Sequence, residues 1–304
     1  MTKIKIYGLS DVHIDSHPKN QELWHLLYQF CMESPPDLLL VAGDLAETER
    51  GWANALELFK KTSFQKAILP GNHDLWCRDS TEPNSLKKYH ESLPRISLDQ
   101  GWGYLPSQPL KIQDLGIVGS CCWYDYSLMP SDHPFCKADF LKRQRRGRQW
   151  MDGVFCRWPD FDPMDQDPLI TDYFYFELEK NLKLISEKGC DKIFLVTHFP
   201  FYQDLLSFTG NNWDFEYFGA FMGSKKYLKL LEQFPIRYHL CGHLHSKAQF
   251  LWNQTQVYLS PVGTLKEWGC IDPKSRLDSI LLQLQVETET PKHTNFPPRK
   301  KGSR

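Results

Sequence analysis

The stretch Leu38-Leu39-Leu40-Val41-Ala42-Gly43-Asp44 is an unbroken apolar run that ends in a glycine and a carboxylate. A run of this kind predicts a buried β-strand, and the polar residue after it marks the point where the chain leaves the sheet. Four other apolar runs end in a similar way. In chain order, the five terminal fragments are Asp11-Val12-His13, Gly43-Asp44, Gly71-Asn72-His73-Asp74, Thr197-His198 and Gly242-His243-Leu244-His245. Because chemistry in open α/β sheets collects at the carboxyl ends of the strands, we expect these fragments to share one rim.

The segments between the fragments predict a layered α/β fold. Helical patterns separate the first three strand-like runs, so the first hundred residues alternate as β-α-β-α-β with parallel connections. The later strands have fewer helices between them, which indicates a second sheet. The predicted strands are 3–9, 38–42, 67–69, 116–120, 192–196, 236–240, 257–259 and 279–286, and the predicted helices are 20–33, 52–59, 174–184 and 225–234.

Composition and charge are those of an ordinary globular protein. The 304 residues carry a formal net charge of -1, which provides no overall field to attract nucleic acid or a membrane. The nine cysteines are scattered without a Cys-x-x-Cys pair, as expected for reduced thiols rather than a disulfide framework or a zinc knuckle. The N-terminus has a strand pattern, and no apolar run approaches the length of a membrane span. We therefore expect a cytoplasmic location without membrane contact, and nucleic acid is disfavoured as a partner.

We expect one main domain over residues 1–289, with a lid-like insertion at 121–171. In the insertion the composition changes to aromatic residues, proline, aspartate and clustered arginine without a sustained period. Long loops of this kind are often lids or binding loops, and an irregular surface excursion is the alternative. The arginine run at 142–148 is more typical of a solvated face than of a phosphate site, because aspartates follow it closely. Residues 290–304 predict a basic, disordered tail.

The five fragments supply carboxylate and imidazole groups but no thiolate. This donor set suits borderline transition-metal ions, so manganese and iron are the first candidates, and zinc, nickel and cobalt are also compatible. A bridging carboxylate can hold two such ions ~3.5–4 Å apart, the spacing at which they clamp the attacking and leaving oxygens of a phosphoryl group. Two cations also lower the pKa of a shared water, so that hydroxide can attack phosphorus in line with the leaving group. Asp44 is the best candidate for the bridge.

The ordered motifs Asp-x-His, Gly-Asp, Gly-Asn-His-Asp, His and Gly-His-x-His resemble those of the calcineurin-like metallophosphoesterase superfamily, over residues 11–245. The resemblance implies an α/β fold of the α+β type, a four-layer sandwich of two mixed β-sheets flanked by helices. It also implies a dinuclear metal site at the strand ends. By this resemblance, one metal is held by Asp11, His13 and His245, the other by Asn72, His198 and His243, and both by the bridging Asp44.

Catalysis and substrate contacts involve residues outside this ligand set. The resemblance implies that His73 faces the substrate as a general acid or as a cation, with Asp74 orienting its imidazole. For substrate contacts we single out aromatic and acidic residues of the insertion, since strand 116–120 delivers the chain toward the rim; packing of a lid is the alternative. These substrate-binding candidates are Trp123, Tyr124, Asp125 and Trp150.

Together these patterns predict a metal-dependent phosphoesterase that acts on a small phosphorylated substrate, with a phosphodiester slightly favoured over a monoester. A protein serine/threonine phosphatase is disfavoured, because Asp74 stands where such enzymes carry glutamate and the Asp-Arg-Gly that follows their second motif is missing. A nuclease of the same superfamily stays as an alternative, although its interface would be more basic than this near-neutral core. An inactive metal-binding interaction scaffold is the second alternative, and the intact ligand set disfavours it.

Overall fold

Two mixed β-sheets form the centre of the protein, in a computed structural model that describes residues 2–78, 82 and 84–289. A two-stranded hairpin accompanies them. In chain order the strands are β1 (Thr2–Leu9), β2 (Leu38–Ala42), β3 (Gln65–Leu69), β4 (Gly103–Tyr104), β5 (Leu110–Ile112), β6 (Leu115–Ser120), β7 (Gln144–Arg145), β8 (Arg148–Gln149), β9 (Lys192–Thr197), β10 (Ile236–Cys241), β11 (Ala248–Trp252), β12 (Thr255–Leu259) and β13 (Leu282–Thr288).

The strand order confirms the two mixed sheets expected from the sequence. The first sheet has five strands in the order β13-β1-β2-β3-β4, and the second has six in the order β11-β12-β10-β9-β6-β5. In the first sheet, β1 to β4 are parallel neighbours and β13 is antiparallel to β1. In the second, β6, β9, β10 and β12 are parallel, whereas the edge strands β5 and β11 are antiparallel. Sequence patterns missed β4, β5 and β11, which are short or half-exposed edge strands.

Helices cover the outer faces of both sheets. The loops also contain shorter helical turns, at His73–Leu75, Lys88–Ser92, Gln203–Leu205, Tyr217–Phe221 and Lys225–Tyr227. Within the described residues, no helix has the length and apolar character needed to span a bilayer. The α-helices are α1 (Pro18–Glu33), α2 (Glu49–Glu57), α3 (Ser85–Lys87), α4 (Leu93–Asp99), α5 (Lys137–Leu141), α6 (Asp152–Phe155), α7 (Gln166–Glu187), α8 (Trp213–Glu216), α9 (Leu228–Gln233), α10 (Leu265–Trp268) and α11 (Pro273–Ile280).

Strand β2 is apolar throughout because both of its faces are buried. Leu40 belongs to the cluster between the two sheets, which also contains Val196 of β9. Leu39 and Val41 point the other way, into the cluster that contains Leu27 of α1. A strand buried on both faces reads as a continuous apolar run rather than an alternating one. Helix, sheet, sheet and helix therefore stack as the four layers that the resemblance implies.

Several element boundaries and one segment differ from the sequence prediction; the helix expected at 174–184, for example, spans Gln166–Glu187. The strand expected at 279–286 starts at Leu282, because α11 occupies the preceding residues: Pro273 is at its first turn, and Asp272 caps it by accepting from the Ser275 amide. The helix expected at 225–234 begins as a 3₁₀ turn before α9. The insertion at 121–171 is more regular than expected and contains α5, the β7-β8 hairpin, α6 and the start of α7. Residues 290–304, the predicted tail, lie outside the described residues.

Helix α7 packs so closely on β6 that Gly116 has no room for a side chain. A Cβ there would lie 2.2 Å from Cγ2 of Ile185. We predict that Gly116→Ala lowers the free energy of unfolding by about 1–3 kcal/mol, since overpacking forces neighbours off their preferred rotamers. Urea unfolding monitored by circular dichroism measures the change. Gly103→Ala is the matched control, because its Cβ would meet nothing closer than 3.6 Å, and equal losses in the two variants would contradict the overpacking argument.

Candidate metal centre

The five polar fragments come together at one edge of the two sheets. Backbone hydrogen bonds hold neighbouring fragments in register: the N–H of His13 donates to the carbonyl of Asp44 at 2.9 Å, and that of Gly242 donates to the carbonyl of His198 at 2.9 Å. The carboxyl ends of β1, β2, β3, β9 and β10 converge here. The structure thereby brings together the seven ligands expected from the sequence, Asp11, His13, Asp44, Asn72, His198, His243 and His245.

The first predicted ligand group is compact. The ligand atoms of Asp11, His13 and His245 lie within 4.8 Å of one another. Nε2 of His13 is 3.2 Å from Nε2 of His245, which is 3.6 Å from Oδ1 of Asp11. Three donor atoms at these separations can converge on one cation.

The second group is centred on an amide oxygen. Oδ1 of Asn72 is 2.9 Å from Nε2 of His198 and 3.2 Å from Nδ1 of His243. Asp44 lies between this group and the first, since its Oδ2 is 3.4 Å from Nε2 of His198 and 3.7 Å from Nε2 of His13. One carboxylate oxygen therefore faces both groups, as a bridging ligand must.

The buried carboxylate of Asp11 favours bound cations at this position. Its Oδ1 accepts a hydrogen bond from the backbone N–H of His243 at 2.9 Å. Its Oδ2 is also buried and has no hydrogen-bond partner among the described residues. Burying an ionised oxygen without a partner is costly unless a cation compensates it. The set of carboxylates, imidazoles and one amide thus fits two ions of the borderline class.

The ligand loops also hold an unfavourable backbone conformation. Such conformations cost on the order of 1–3 kcal/mol each and persist where the surrounding structure dictates them, often at functional sites. Gly43 shows the crowding: its φ is +85°, and a Cβ there would lie 2.6 Å from Nδ1 of His198. The candidate ligands with left-handed φ values are Asp11 (53°), His13 (44°), Asp44 (53°) and His243 (69°).

Charges at the site reinforce one another. Burial acts to raise the pKa of Asp44, but His198 and His73 outweigh burial and hold that pKa well below its ordinary value. Burial acts to lower the pKa of His198, whereas the carboxylate of Asp44 raises it to about 9. For His13 burial dominates and lowers the pKa to about 4. The site therefore favours positive charge, and a cation held by Nε2 of His198 would take the place of a proton there.

His73 stands at the open side of the centre. Its imidazole stacks on the indole of Trp76 with the ring centroids 3.7 Å apart, and its Nε2 is 4.0 Å from Oδ2 of Asp44. Its Nδ1 is 3.4 Å from Oε1 of Glu47. Burial opposes a charged ring, but Asp44 and Glu47 outweigh burial and raise the pKa of His73. With His13 and Asp44, His73 also forms a group whose ligand atoms lie within 4.8 Å.

Asp74 does not orient His73, contrary to what the resemblance implied. Its Oδ1 accepts from the backbone N–H groups of Leu45 and Ala46 at 3.0 and 2.8 Å, and its Oδ2 accepts from that of Gly71 at 2.7 Å. These bonds tie the loop after β2 to the loop after β3, because a buried carboxylate needs donors and the two loops supply them. The carboxylate that contacts Nδ1 of the His73 ring is that of Glu47.

Sequence reasoning missed three acidic residues that hold candidate site residues in place. Glu47 lies three residues after Asp44, and that spacing was its one available signal. Glu267 caps α10 and places Oε2 3.4 Å from Nδ1 of His245. Asp152, in the insertion, accepts a hydrogen bond from Nδ2 of Asn72 at 2.8 Å. Carboxylates in this position fix the orientation of a ligand side chain.

Asp152 joins the insertion to the metal centre. Its Oδ1 also accepts from the indole N–H of Trp76 at 2.7 Å, and its Oδ2 accepts from that of Trp150 at 3.1 Å. The side chain is almost completely buried. Because Nδ2 of Asn72 is engaged by Asp152, its Oδ1 is turned toward His198 and His243. The insertion thus sets which end of the Asn72 amide faces His198 and His243.

A cavity of about 340 Å³ opens beside the centre, and Trp150 lines it together with His73 and Asp152. The other substrate-binding candidates lie outside this lining. Trp123 is fully buried and donates its indole N–H to Asp167 at 3.1 Å. Tyr124 is fully buried, with its hydroxyl 3.2 Å from Nε1 of Trp150, and Asp125 accepts from Ser127. Of the four candidates, Trp150 reaches the cavity directly.

The arginine run forms internal ion pairs. Arg143 pairs with the buried carboxylate of Asp167 at 2.8 Å. Arg145 and Arg146 both pair with Asp214, at 2.7 and 2.5 Å. These contacts agree with the solvated-face interpretation more than with a phosphate site.

Known proteins share this architecture. The family described as calcineurin-like phosphoesterase matches residues 4–247. The acyl-carrier-protein phosphodiesterase PptH of Mycobacterium tuberculosis is 30% identical over 132 residues, and this alignment covers 41% of the present chain but 39% of that relative. The crystal structure of phosphopantetheinyl hydrolase (PptH) from Mycobacterium tuberculosis superposes with a TM-score of 0.72 at 21% identity, covering 93% of this chain and 96% of that one. A dimetal phosphatase from Danio rerio superposes with a TM-score of 0.49 at 11% identity, covering 84% and 86% of the two chains.

The hydrogen bond from Asn72 to Asp152 predicts a distant effect on metal content. Asp152→Asn replaces an acceptor of three N–H groups by a group that is half donor, so the amide of Asn72 loses its fixed orientation. We expect metal affinity or turnover to fall by about 10–100-fold. Elemental analysis of the purified variant, beside kcat/KM, measures both.

The matched control is Asp162→Asn, a carboxylate of the same insertion that accepts from the backbone N–H of Met164 at 2.9 Å, on the surface. It should keep full metal content and activity. A lowered Tm in Asp152→Asn with unchanged metal content and kcat/KM would mean that Asp152 is structural alone.

Proposed function

The chain belongs to the calcineurin-like phosphoesterase family and is a hydrolase that acts on phosphoric ester bonds; from this premise we propose that its substrate is a phosphodiester. The observation that carries the two-cation mechanism is the position of Asp44, whose Oδ2 faces candidate ligands of both groups at 3.4 and 3.7 Å. A centre built around one shared carboxylate suits two cations, and two cations suit phosphoryl transfer. The curated relative PptH, a phosphodiesterase, supports a diester over a monoester.

The proposed substrate class is a phosphopantetheinyl group esterified to a carrier protein. The relative PptH is an acyl-carrier-protein phosphodiesterase, and the superposed structure is that of a phosphopantetheinyl hydrolase. The sequence match covers 39% of the relative's length, so the specific activity, the substrate and the partner all belong to the proposal. The cytoplasmic location predicted from the sequence is compatible with such a substrate and stays a prediction.

Seven residues are proposed as metal ligands. When bound, two cations lower the pKa of a water between them and neutralise charge on the phosphoryl oxygens. Manganese and iron are the proposed ions, and the same donors accept zinc, nickel or cobalt. The proposed ligands are Asp11, His13 and His245 for one ion, Asn72, His198 and His243 for the other, and Asp44 for both.

His73 is the proposed general acid. It lies at the cavity and reaches the centre without belonging to the proposed ligand set. Glu47 engages Nδ1 and Trp76 holds the ring plane, so Nε2 is left to face the substrate. A nearby carboxylate favours the protonated ring, which can donate a proton to the departing oxygen or stabilise its charge. Asp74 supports this arrangement indirectly, through the loops that it ties together.

The proposal predicts a metal-dependent preference for diesters. Protein loaded with manganese or iron should hydrolyse bis(4-nitrophenyl) phosphate with a higher kcat/KM than 4-nitrophenyl phosphate. EDTA should abolish both activities, and added metal should restore them, because the ligands hold the cations reversibly. Turnover that persists undiminished in EDTA would sink the metal-dependent mechanism, and a preference for the monoester would overturn the substrate class.

Removing the proposed acid should slow turnover without emptying the metal centre. We expect His73→Ala to lower kcat by ~10²–10⁴-fold at unchanged metal content, the range typical of general acid–base catalysis. Across a series of aryl phosphodiesters the loss should shrink as the leaving group improves, because good leaving groups need no proton. His25→Ala, an exposed histidine of α1, is the control. A loss of metal together with activity would identify His73 as a ligand instead.

A further inference from the structure

A second, larger cavity adjoins the metal centre. It has a volume of about 460 Å³ and lies between the insertion and the segment 206–222. Its walls are mainly apolar, and the rings and chains that form them are Trp150, Leu206, Phe208, Phe215, Phe218 and Met222. We call it the side chamber.

The side chamber and the metal-centre cavity lie side by side. Gln149, Trp150 and Met222 line both of them. The indole of Trp150 has its centroid 5.9 Å from the ring of His243 and 6.4 Å from the ring of Phe218. The ring of Trp150 therefore contacts a proposed metal ligand on one side and a residue of the side chamber on the other. A molecule whose phosphate lies at the proposed metal centre could extend past Trp150 into the side chamber.

Two charged residues line the side chamber, Glu216 and Arg148. The carboxylate of Glu216 accepts from the backbone N–H groups of Thr209 and Gly210, at 2.9 and 3.2 Å. The guanidinium of Arg148 is exposed and lies over the ring of Phe215, 5.8 Å from its centroid. The hydroxyl of Ser207 adds a polar group that can bind an amide. The mainly apolar walls of the side chamber thus suit an uncharged chain.

We infer that the side chamber binds the uncharged organic arm that stays attached to the scissile phosphate, and that this arm is of the pantetheine type, an alkyl chain with amide groups. This inference rests on the proposed function, because it assigns one half of that diester. The phosphate lies at the metal centre, the arm passes Trp150, and the leaving oxygen is on the side of His73. A mainly apolar pocket with few polar groups is typical of sites for such chains.

The test uses two diesters that share one leaving group. The first is 4-nitrophenyl 4′-phosphopantetheine, and the second is methyl 4-nitrophenyl phosphate, which has the same charge and scissile bond but no arm. We expect the metal-loaded full chain to favour the armed diester by at least about tenfold in kcat/KM, the scale of discrimination that a pocket for an apolar group provides. Release of 4-nitrophenol reports both reactions.

Variants of the side chamber should reduce that preference. Phe215→Ala removes a wall, and Ser207→Trp fills the space from an exposed position; each should lower the ratio of the two kcat/KM values by about tenfold, mainly through KM for the armed diester. Phe176→Ala is the matched control, because Phe176 is exposed to 62% and Phe215 to 65%, and Phe176 lies on α7. It should leave the ratio unchanged. A thermal melt of each variant establishes that it is folded.

The outcomes separate the two proposals. If the methyl diester is hydrolysed but the armed diester gains nothing, or if both side-chamber variants keep the wild-type ratio, the arm does not bind there and the inference is overturned while the phosphodiesterase proposal stands. If neither diester is hydrolysed by the metal-loaded protein, the proposed function fails and the inference fails with it. A tenfold preference that both variants lose and the control keeps supports the inference.

Discussion

The carboxylate of Asp44 is the contact on which the candidate centre depends. It is buried at the end of a strand that is itself buried on both faces, and it lies between imidazoles of the two ligand groups. Its Oδ1 accepts from the backbone N–H of His73 at 2.9 Å, so the same side chain that faces both groups also positions the loop of the proposed acid. No side chain fits at Gly71, because a Cβ there would lie 2.1 Å from that oxygen. The glycine at position 71 is therefore a consequence of the position of this carboxylate.

The fold tolerates a site that is unfavourable by itself. Buried carboxylates, close imidazole nitrogens and left-handed backbone at four candidate ligands all oppose folding. The apolar core between the sheets, where Leu40 of β2 packs with Val196 of β9, supplies the compensating stability. The packing of the helices on the outer faces adds to it. The hydrogen bonds of Asp74 supply the local part of this compensation, since they fasten the loops that carry Asp44 and Asn72 to each other. Bound cations would relieve the rest, so metal content and stability are expected to be linked in this protein.

The central strands and the convergence of the candidate ligand residues could be predicted from the sequence, because both leave local signals. A strand buried on two faces gives a continuous apolar run, and a ligand loop gives a polar pattern directly after it, as Leu38–Ala42 and Asp44 show. The supporting carboxylates leave no such signal. Asp152 meets Asn72 across eighty positions of sequence, through an insertion without periodicity, and only the folded chain makes them neighbours. The same reason explains why Asp74 was assigned to the wrong partner: adjacency in sequence suggested His73, whereas the donors that a buried carboxylate needs came from other loops.

The insertion contacts both the proposed substrate pocket and the candidate metal centre. Trp150 forms a wall of both cavities, and its indole N–H donates to the carboxylate that fixes the amide of Asn72. A chain that enters the side chamber contacts this indole, and a displacement of the indole changes its hydrogen bond to Asp152. Because Asp152 accepts three N–H groups at once, losing one of them changes the balance of the other two. If the side chamber binds the arm as proposed, a substrate with the arm would stabilise the arrangement in which Oδ1 of Asn72 points toward His198 and His243, whereas a substrate without the arm would leave that arrangement to the protein alone. In the proposed function, the insertion at 121–171 therefore supports the candidate metal centre as well as lining the two cavities.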